Sequence, residues 1–197
     1  MEALFDSLII TGKVMKDKCW YGLWHFDLHK KVQRIYPKEP YYKDLYDVLT
    51  SNPNHVIDDI YVGNAFNSAD FKWLSENKIK HIVNVTPSIS NYFPKDFVYH
   101  NCDVIDLNEA SLKGFYEEFY DIVKKREGNI FVHCFAGKSR SAALVLYYLI
   151  KEYGWSMDYA LNILKIKRPA VNINTTFINE INDLLLPTVI YFLNDAC

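Results

Sequence analysis

From residue 54 onward, short apolar runs alternate with stretches in which apolar residues recur every three or four positions. The first pattern reads as buried strand and the second as amphipathic helix. VIDDIYVG (residues 56–63) predicts a strand closed by Gly63, and SADFKWLSENK (68–78) a helix capped by Ser68. HIVNV (81–85) is a short buried strand. FVYHNCDV (97–104) alternates loosely enough for another, with Asp103 inside it. A helix opening at Ser111 carries Leu112, Phe115, Tyr116, Phe119, Ile122 and Val123 on one face and ends at Gly128. NIFVHC (129–134) is a further strand. SRSAALVLYYLIKEYG (139–154) follows as a helix apolar on nearly all sides, which calls for a central, buried place. SMDYALNILKIKR (156–168) and TTFINEINDLLL (175–186) complete the pattern as helices.

Strands alternating with helices predict an α/β fold, a central, mostly parallel sheet flanked by helices. The first 53 residues have another texture. They hold an aromatic knot, CWYGLWHF (19–26), a basic stretch, HKKVQR (29–34), and YPKEPYY (36–42). That segment is too short for a comfortable core of its own. The expected organisation is therefore an extension over 1–53, a domain over 54–187 and a tail over 188–197.

Composition narrows the partners. The 197 residues are 50% apolar and carry a net charge of -2, so no broad electrostatic attraction to nucleic acid or to an anionic membrane is expected. Any anion must be held locally. The longest wholly apolar run, residues 142–150, is far short of the roughly 20 needed to span a bilayer, and Glu2 and Asp6 stand where a leader would be basic. Cys19, Cys102, Cys134 and Cys197 are scattered and form no C-x-x-C pair. A reducing, cytoplasmic setting is expected, with access to the nucleus open.

The candidate chemistry lies in HCFAGKSRSA (133–142), between a strand and the buried helix. Cys134 alone reads as a nucleophile, a metal ligand or a small hydrophobe at a strand end, and a lone cysteine there is more often the last. Its surroundings decide. In such sheets ligands bind beyond the carboxyl ends of the strands, and a loop running into a helix N-terminus points backbone N–H groups at an anion. Ala136 and Gly137 let the backbone come close, and Arg140 can grip two phosphate oxygens with its planar fork. The same field favours a thiolate on Cys134. His133 is then expected to orient the loop rather than to act as a base, since a thiolate already formed has no proton to lose. No dense cluster of histidines and carboxylates offers a metal site, and neither metal nor cofactor is expected.

With its strand and helix, HCFAGKSRSA resembles the signature loop of the cysteine-dependent protein tyrosine phosphatases, and specifically of the dual-specificity phosphatases, where H-C-x-x-G-x-S-R-S-A is common. IDDIYVGNAFNSADFKWLSENKIKHIVNVT (57–86) is similar to that family's first strand, turn, helix and following strand. RPAVNINTTFINEI (168–181) is similar to its carboxyl-terminal Arg-Pro, Asn and Phe positions. The likeness covers roughly residues 54–186 and leaves residues 1–53 outside.

The resemblance implies a strand–phosphate loop–helix site in which Cys134 is the nucleophile and Arg140 holds the phosphoryl oxygens. Residues Phe135, Ala136, Gly137, Lys138 and Ser139 line the loop, with Phe135 at the rim or packed beneath. Ser141 donates to the leaving thiolate, and Asn84 either braces the loop from the neighbouring strand or is a core asparagine capping a strand end. Leaving-group departure needs a general acid. Asp103, Asp106 and Glu109 are the candidates, and aligning Tyr99 and Val104 with the family's strand selects Asp106, with Asp103 second.

The implied function is hydrolysis of phosphotyrosine and phosphoserine or phosphothreonine through a cysteinyl-phosphate intermediate, in a pocket kept shallow by a small domain. The implied partner is a phosphoprotein substrate, without a stable nucleic-acid or membrane partner. Lys138 departs from the neutral residue of many protein-directed members. A basic residue there also occurs in relatives acting on inositol lipids, phosphatidylglycerophosphate or RNA 5′ ends. An inactive phosphate-binding scaffold is the reading from another class. Residues 1–53 are expected to form an aromatic lid or, through Trp20, Tyr21, Trp24 and Phe26, a homodimer contact. Cys19 and Cys102 are assigned to the core.

Overall fold

The computed structural model describes residues 51–105 and 110–194, with the side chains of the final helix described through Leu185. Its centre is β5 (Asn129–His133), whose residues from Ile130 to His133 are buried. Parallel neighbours flank it on both sides, β2 (Ile60–Gly63) and β3 (Ile79–Asn84). Outside these lie β1 (Asn54–Ile57), antiparallel to β2, and β4 (Val98–Asn101), parallel to β3. The sheet order is β1-β2-β5-β3-β4. A strand shielded on both faces and both edges can be continuously apolar, and IFV in β5 is.

Two local expectations change. The run 56–63 is not one strand but the arms of a hairpin, because the chain turns at Asp58, whose φ is +45°. Aspartate tolerates that left-handed conformation, and the Tyr148 and Tyr153 hydroxyls hold the Asp58 carboxylate from a distant helix. The helix expected over 68–78 is two short ones, α1 (Ala65–Ser68) and α2 (Phe71–Glu76). Ser68 ends the first rather than capping the second. The caps are Asn64, which receives the Phe66 and Asn67 N–H groups, and Asp70, which receives that of Trp73.

α3 (Lys113–Lys125) buries Phe115, Tyr116, Phe119 and Val123, the face its spacing predicts. It begins at Lys113, and the Leu112 N–H is taken at 3.0 Å by the carboxylate of Glu180, a buried residue of a later helix. Gly128 lies beyond the helix, in the left-handed conformation that starts β5. α4 (Arg140–Tyr153) has every residue from Arg140 to Leu149 buried, as its all-sided apolarity requires. α5 (Met157–Lys167) and α6 (Thr175–Asn194) follow. α6 continues through Pro187, so the expected boundary between a domain ending at 187 and a tail starting at 188 falls inside a continuous helix. The apolar residues Val189, Ile190, Phe192 and Leu193 prolong the helical spacing past the proline.

Residues 1–50 of the expected extension lie outside the described residues, with Cys19, Trp20, Tyr21, Trp24 and Phe26. So do residues 106–109, which include Asp106 and Glu109. Among the described residues, no helix is long and apolar enough to cross a membrane.

Candidate active site

β5 delivers His133 and Cys134 to the carboxyl edge of the sheet, and α4 starts at Arg140. Residues 134–139 therefore bridge the central strand and the N-terminus of the buried helix. Successive carbonyls of this loop are captured from outside it. Phe135 O accepts from Ala65 N at 3.0 Å, and Lys138 O from Asn172 N at 3.0 Å. Between them, Ala136 O accepts from Arg168 Nη2 at 3.2 Å and Gly137 O from Arg168 Nε at 2.7 Å. In a trans peptide the N–H points opposite to the carbonyl, and no peptide here is cis. Tying the carbonyls outward thus turns the following N–H groups inward, which makes an anion cradle.

Cys134 lies at the bottom of that cradle, 1% exposed. Burial by itself would push its thiol up. The Arg140 charge, the Ser141 hydroxyl and the N–H groups of Ser141 and Gly137 outweigh it and hold the thiol below its ordinary value. Ser141 Oγ donates to Cys134 Sγ at 3.3 Å. Buried Cys102 shows the contrast. Burial, with Asp103 and Glu118 nearby, pushes its thiol up to about 12, so it stays a core thiol.

His133 is fully buried, its ring stacked on Phe131 with centroids 5.6 Å apart. Burial, with the Arg140 charge, drives its pKa down to about 3, although a hydrogen bond with the adjacent Cys134 backbone acts in the other direction. Neither ring nitrogen has a full hydrogen-bond partner among the described residues. The imidazole is neutral at pH 7 and adds no positive charge beside Cys134. The ring interacts with the backbone of the adjacent Cys134. The main chain does the bracing, since His133 O accepts from Val85 N at 2.8 Å.

Gly137 is required by geometry. Its φ is +65°, and a Cβ there would lie 2.3 Å from Gly63 O and 2.7 Å from Arg168 Nη2. Ser139 stands at the N-cap position of α4, and its Oγ accepts from Asn174 N at 3.1 Å. Arg140 is 4% exposed and donates Nη1 to Val104 O at 2.8 Å, across to the loop that follows β4. Phe135 and Lys138 are half-buried at the rim.

Two assignments change. Asn84 was expected to brace the phosphate loop, but its amide donates to Ile89 O at 2.6 Å and Asn91 Oδ1 at 3.0 Å. It organises the β3–β4 connection, because the carbonyls of the phosphate loop are already taken from the other side. Asp103 is not within a strand. β4 ends at Asn101, the Val104 N–H turns back to Cys102 O at 2.9 Å, and Asp103 stands exposed on the loop that leads to residue 106.

Residues 60–184 match the model of the dual specificity phosphatase catalytic domain. The chain belongs to the dual specificity phosphatase family. It is 34% identical over 135 residues to dual specificity protein phosphatase 1 of Arabidopsis thaliana, a match covering 67% of this chain and 68% of that protein. It is 32% identical over 135 residues to protein phosphatase Slingshot homolog 2 of Homo sapiens, covering 67% of this chain but 10% of the relative's length. Among solved structures, that of DUSP15 aligns with a TM-score of 0.62 at 29% identity, covering 66% of this chain and 85% of that one. A human tyrosine phosphatase-like serine/threonine/tyrosine-interacting protein shares the fold, with a TM-score of 0.64 at 22% identity over 70% of this chain and 97% of that one. Residues 60–184 are thus a dual specificity phosphatase catalytic domain, of the hydrolase class.

Within this phosphatase domain, sequence reasoning assigned no role to Arg168 or Glu180. Arg168 stood in view as the first residue of an Arg-Pro pair, but only the fold brings it behind the loop. Glu180 sits on a helix with nothing in its spacing to mark it, and its partner Leu112 is 68 positions away.

Proposed function

We propose that the protein is an active dual-specificity protein phosphatase that hydrolyses phosphotyrosine and phosphoserine or phosphothreonine through a cysteinyl-phosphate on Cys134. The observation that carries this reading is a buried thiol held below its ordinary value by Arg140, Ser141 and the Gly137 N–H, at the floor of an inward-facing N–H cradle. A filler cysteine has no need of that arrangement.

In the first step the Cys134 thiolate attacks phosphorus and the P–O bond to the leaving group breaks. Asp106, as general acid, gives that oxygen its proton. Arg140 and the loop N–H groups hold the phosphoryl oxygens, supplying fixed charge where negative charge is densest. In the second step water attacks phosphorus while the Asp106 carboxylate takes its proton. The S–P bond breaks and the electron pair returns to sulfur, to which the Ser141 hydroxyl donates a hydrogen bond.

A phosphate on something other than protein is favoured by one feature. Lys138 lies half-buried on the loop itself and, among the described residues, has no carboxylate partner. Its charge is available to a polyanionic substrate. The expected setting is cytoplasmic with nuclear access, and residues 1–53 are the expected place of any homodimer contact.

Turnover of a small aryl phosphate by the full chain tests the enzyme reading against an inactive scaffold. The expected result is hydrolysis that Cys134→Ser abolishes. No hydrolysis by the native chain, or undiminished hydrolysis by the variant, overturns it. Rates on phosphopeptides, inositol phosphates and 5′-triphosphate RNA then decide the substrate class.

A further inference from the structure

Arg168 is 1% exposed and, among the described residues, meets no carboxylate. Oxygens on two sides satisfy it instead. Toward the active site, Nε and Nη2 hold the successive carbonyls of Gly137 and Ala136. Away from it, Nη1 donates to Asn54 Oδ1 at 2.7 Å and Asn52 O at 3.3 Å, and Nη2 reaches Ser51 Oγ at 3.5 Å. Residues 51–54 precede residue 60, where the family match begins.

A buried cation without a counter-ion is costly, so its retention calls for a reason in the fork itself. Nε and Nη2 form one edge of a rigid planar donor, spaced to take two neighbouring acceptors at once. A lysine, with a single flexible ammonium, cannot fix both peptide planes. Holding Ala136 O turns the Gly137 N–H toward Cys134, where it helps to hold the thiolate. Holding Gly137 O turns the Lys138 N–H into the cradle. Burial draws the Arg168 pKa down to about 10, with the Cys134 thiolate acting against that fall, so the guanidinium is charged at neutral pH and within reach of the sulfur's field.

We propose that Arg168 is a positioning residue for the Cys134 site, acting through the Ala136 and Gly137 carbonyls, and that residues 51–54 form the outer half of its seat. The chain immediately upstream of the phosphatase domain thereby helps to set the phosphate loop. This rests on Cys134 being the nucleophile.

The test uses the full chain with Arg168→Lys, Arg168→Met and Asn54→Ala. Three quantities are compared with thermal unfolding: the pH profile of Cys134 alkylation by iodoacetamide, followed on its own peptide by mass spectrometry; kcat and KM for a small aryl phosphate; and inhibition by vanadate. Arg168→Lys keeps the charge but loses the fork. It is expected to move the alkylation midpoint up by about one pH unit and to lower kcat/KM and vanadate affinity about tenfold. Arg168→Met is expected to do more, and Asn54→Ala to act in the same direction by about threefold. If Arg168→Met does not fold, the two milder variants decide the matter. Variants that melt earlier but keep the native alkylation profile, kcat/KM and vanadate affinity reduce Arg168 to a stability role and overturn the proposal. An effect of the Arg168 variants with none from Asn54→Ala overturns the part concerning residues 51–54. A native chain without turnover would instead count against the catalytic reading, while the alkylation profile would still report on Arg168.

Discussion

Arg140 Nη1 donates to the Val104 carbonyl at 2.8 Å, which ties the guanidinium at the phosphate loop to the loop following β4. At the far side of that loop, the Leu112 N–H is held by the buried Glu180 carboxylate. Val104 and Leu112 are thus each held by a buried side chain, Val104 by the residue assigned to the phosphoryl oxygens.

If Asp106 is the general acid, Asp106→Asn should slow turnover of a phosphoester with a poor leaving group by about a hundredfold or more. Asp103→Asn should stay within about twofold, because a solvated carboxylate contributes little. Steady-state kinetics on the two variants checks this. Equal losses, or a larger loss for Asp103→Asn, would reassign the acid.

The 3.3 Å contact from Ser141 Oγ to Cys134 Sγ makes a separate prediction. A hydrogen bond to a charged group is worth about 1.5–3 kcal/mol, so Ser141→Ala should slow release of the thiolate about tenfold to a hundredfold. Cysteinyl-phosphate then accumulates. Rapid mixing should show a burst of leaving group followed by slow turnover, and a linear trace without a burst would count against the role.

Gly137→Ala should both destabilise and inactivate. The added Cβ meets Gly63 O at 2.3 Å, in a backbone conformation that alanine disfavours. The neighbour is backbone and cannot swing aside, so a loss of at least ~2 kcal/mol is expected. Urea unfolding measures it, and a change under ~0.5 kcal/mol would mean that the loop does not pack so closely.

Acid should weaken the fold through histidine. His133 has a pKa of about 3 when folded, because of burial, against an ordinary value near ~6.5 when unfolded. Between those values the unfolded chain binds more protons, so stability falls as pH drops from about 6.5 toward 3, by up to about 1.4 kcal/mol per pH unit. Above 6.5 the effect is absent. His81 and His100, also held below the ordinary value by burial, act in the same direction. Urea unfolding at pH 7, 6 and 5 should show a steeper fall for the native chain than for His133→Gln, and parallel slopes would remove His133 from the account.

The fold was legible in the sequence where one element's own pattern decides it. The all-sided apolarity of residues 142–150 called for a central helix, and α4 is buried from Arg140 to Leu149. The three-and-four spacing of Phe115, Tyr116, Phe119 and Val123 marked the buried face of α3. Errors fell where distant partners choose. Asp58 turns a predicted strand into a hairpin with two tyrosine hydroxyls some ninety positions away holding its carboxylate. Asn84 differs for a local reason: it shares a register with His133, yet its amide is taken by Ile89 and Asn91, five and seven positions on.

By itself, the sequence determined the candidate reacting groups and their order, because Cys134, Gly137, Arg140 and Ser141 lie within one strand-loop-helix unit whose spacing is local. What only the tertiary structure decided is how that loop is held open. Its carbonyls go to Ala65, Arg168 and Asn172, brought from three other parts of the chain. Backbone polarity must be satisfied wherever it is buried, and no pattern within the loop says which distant groups will do it.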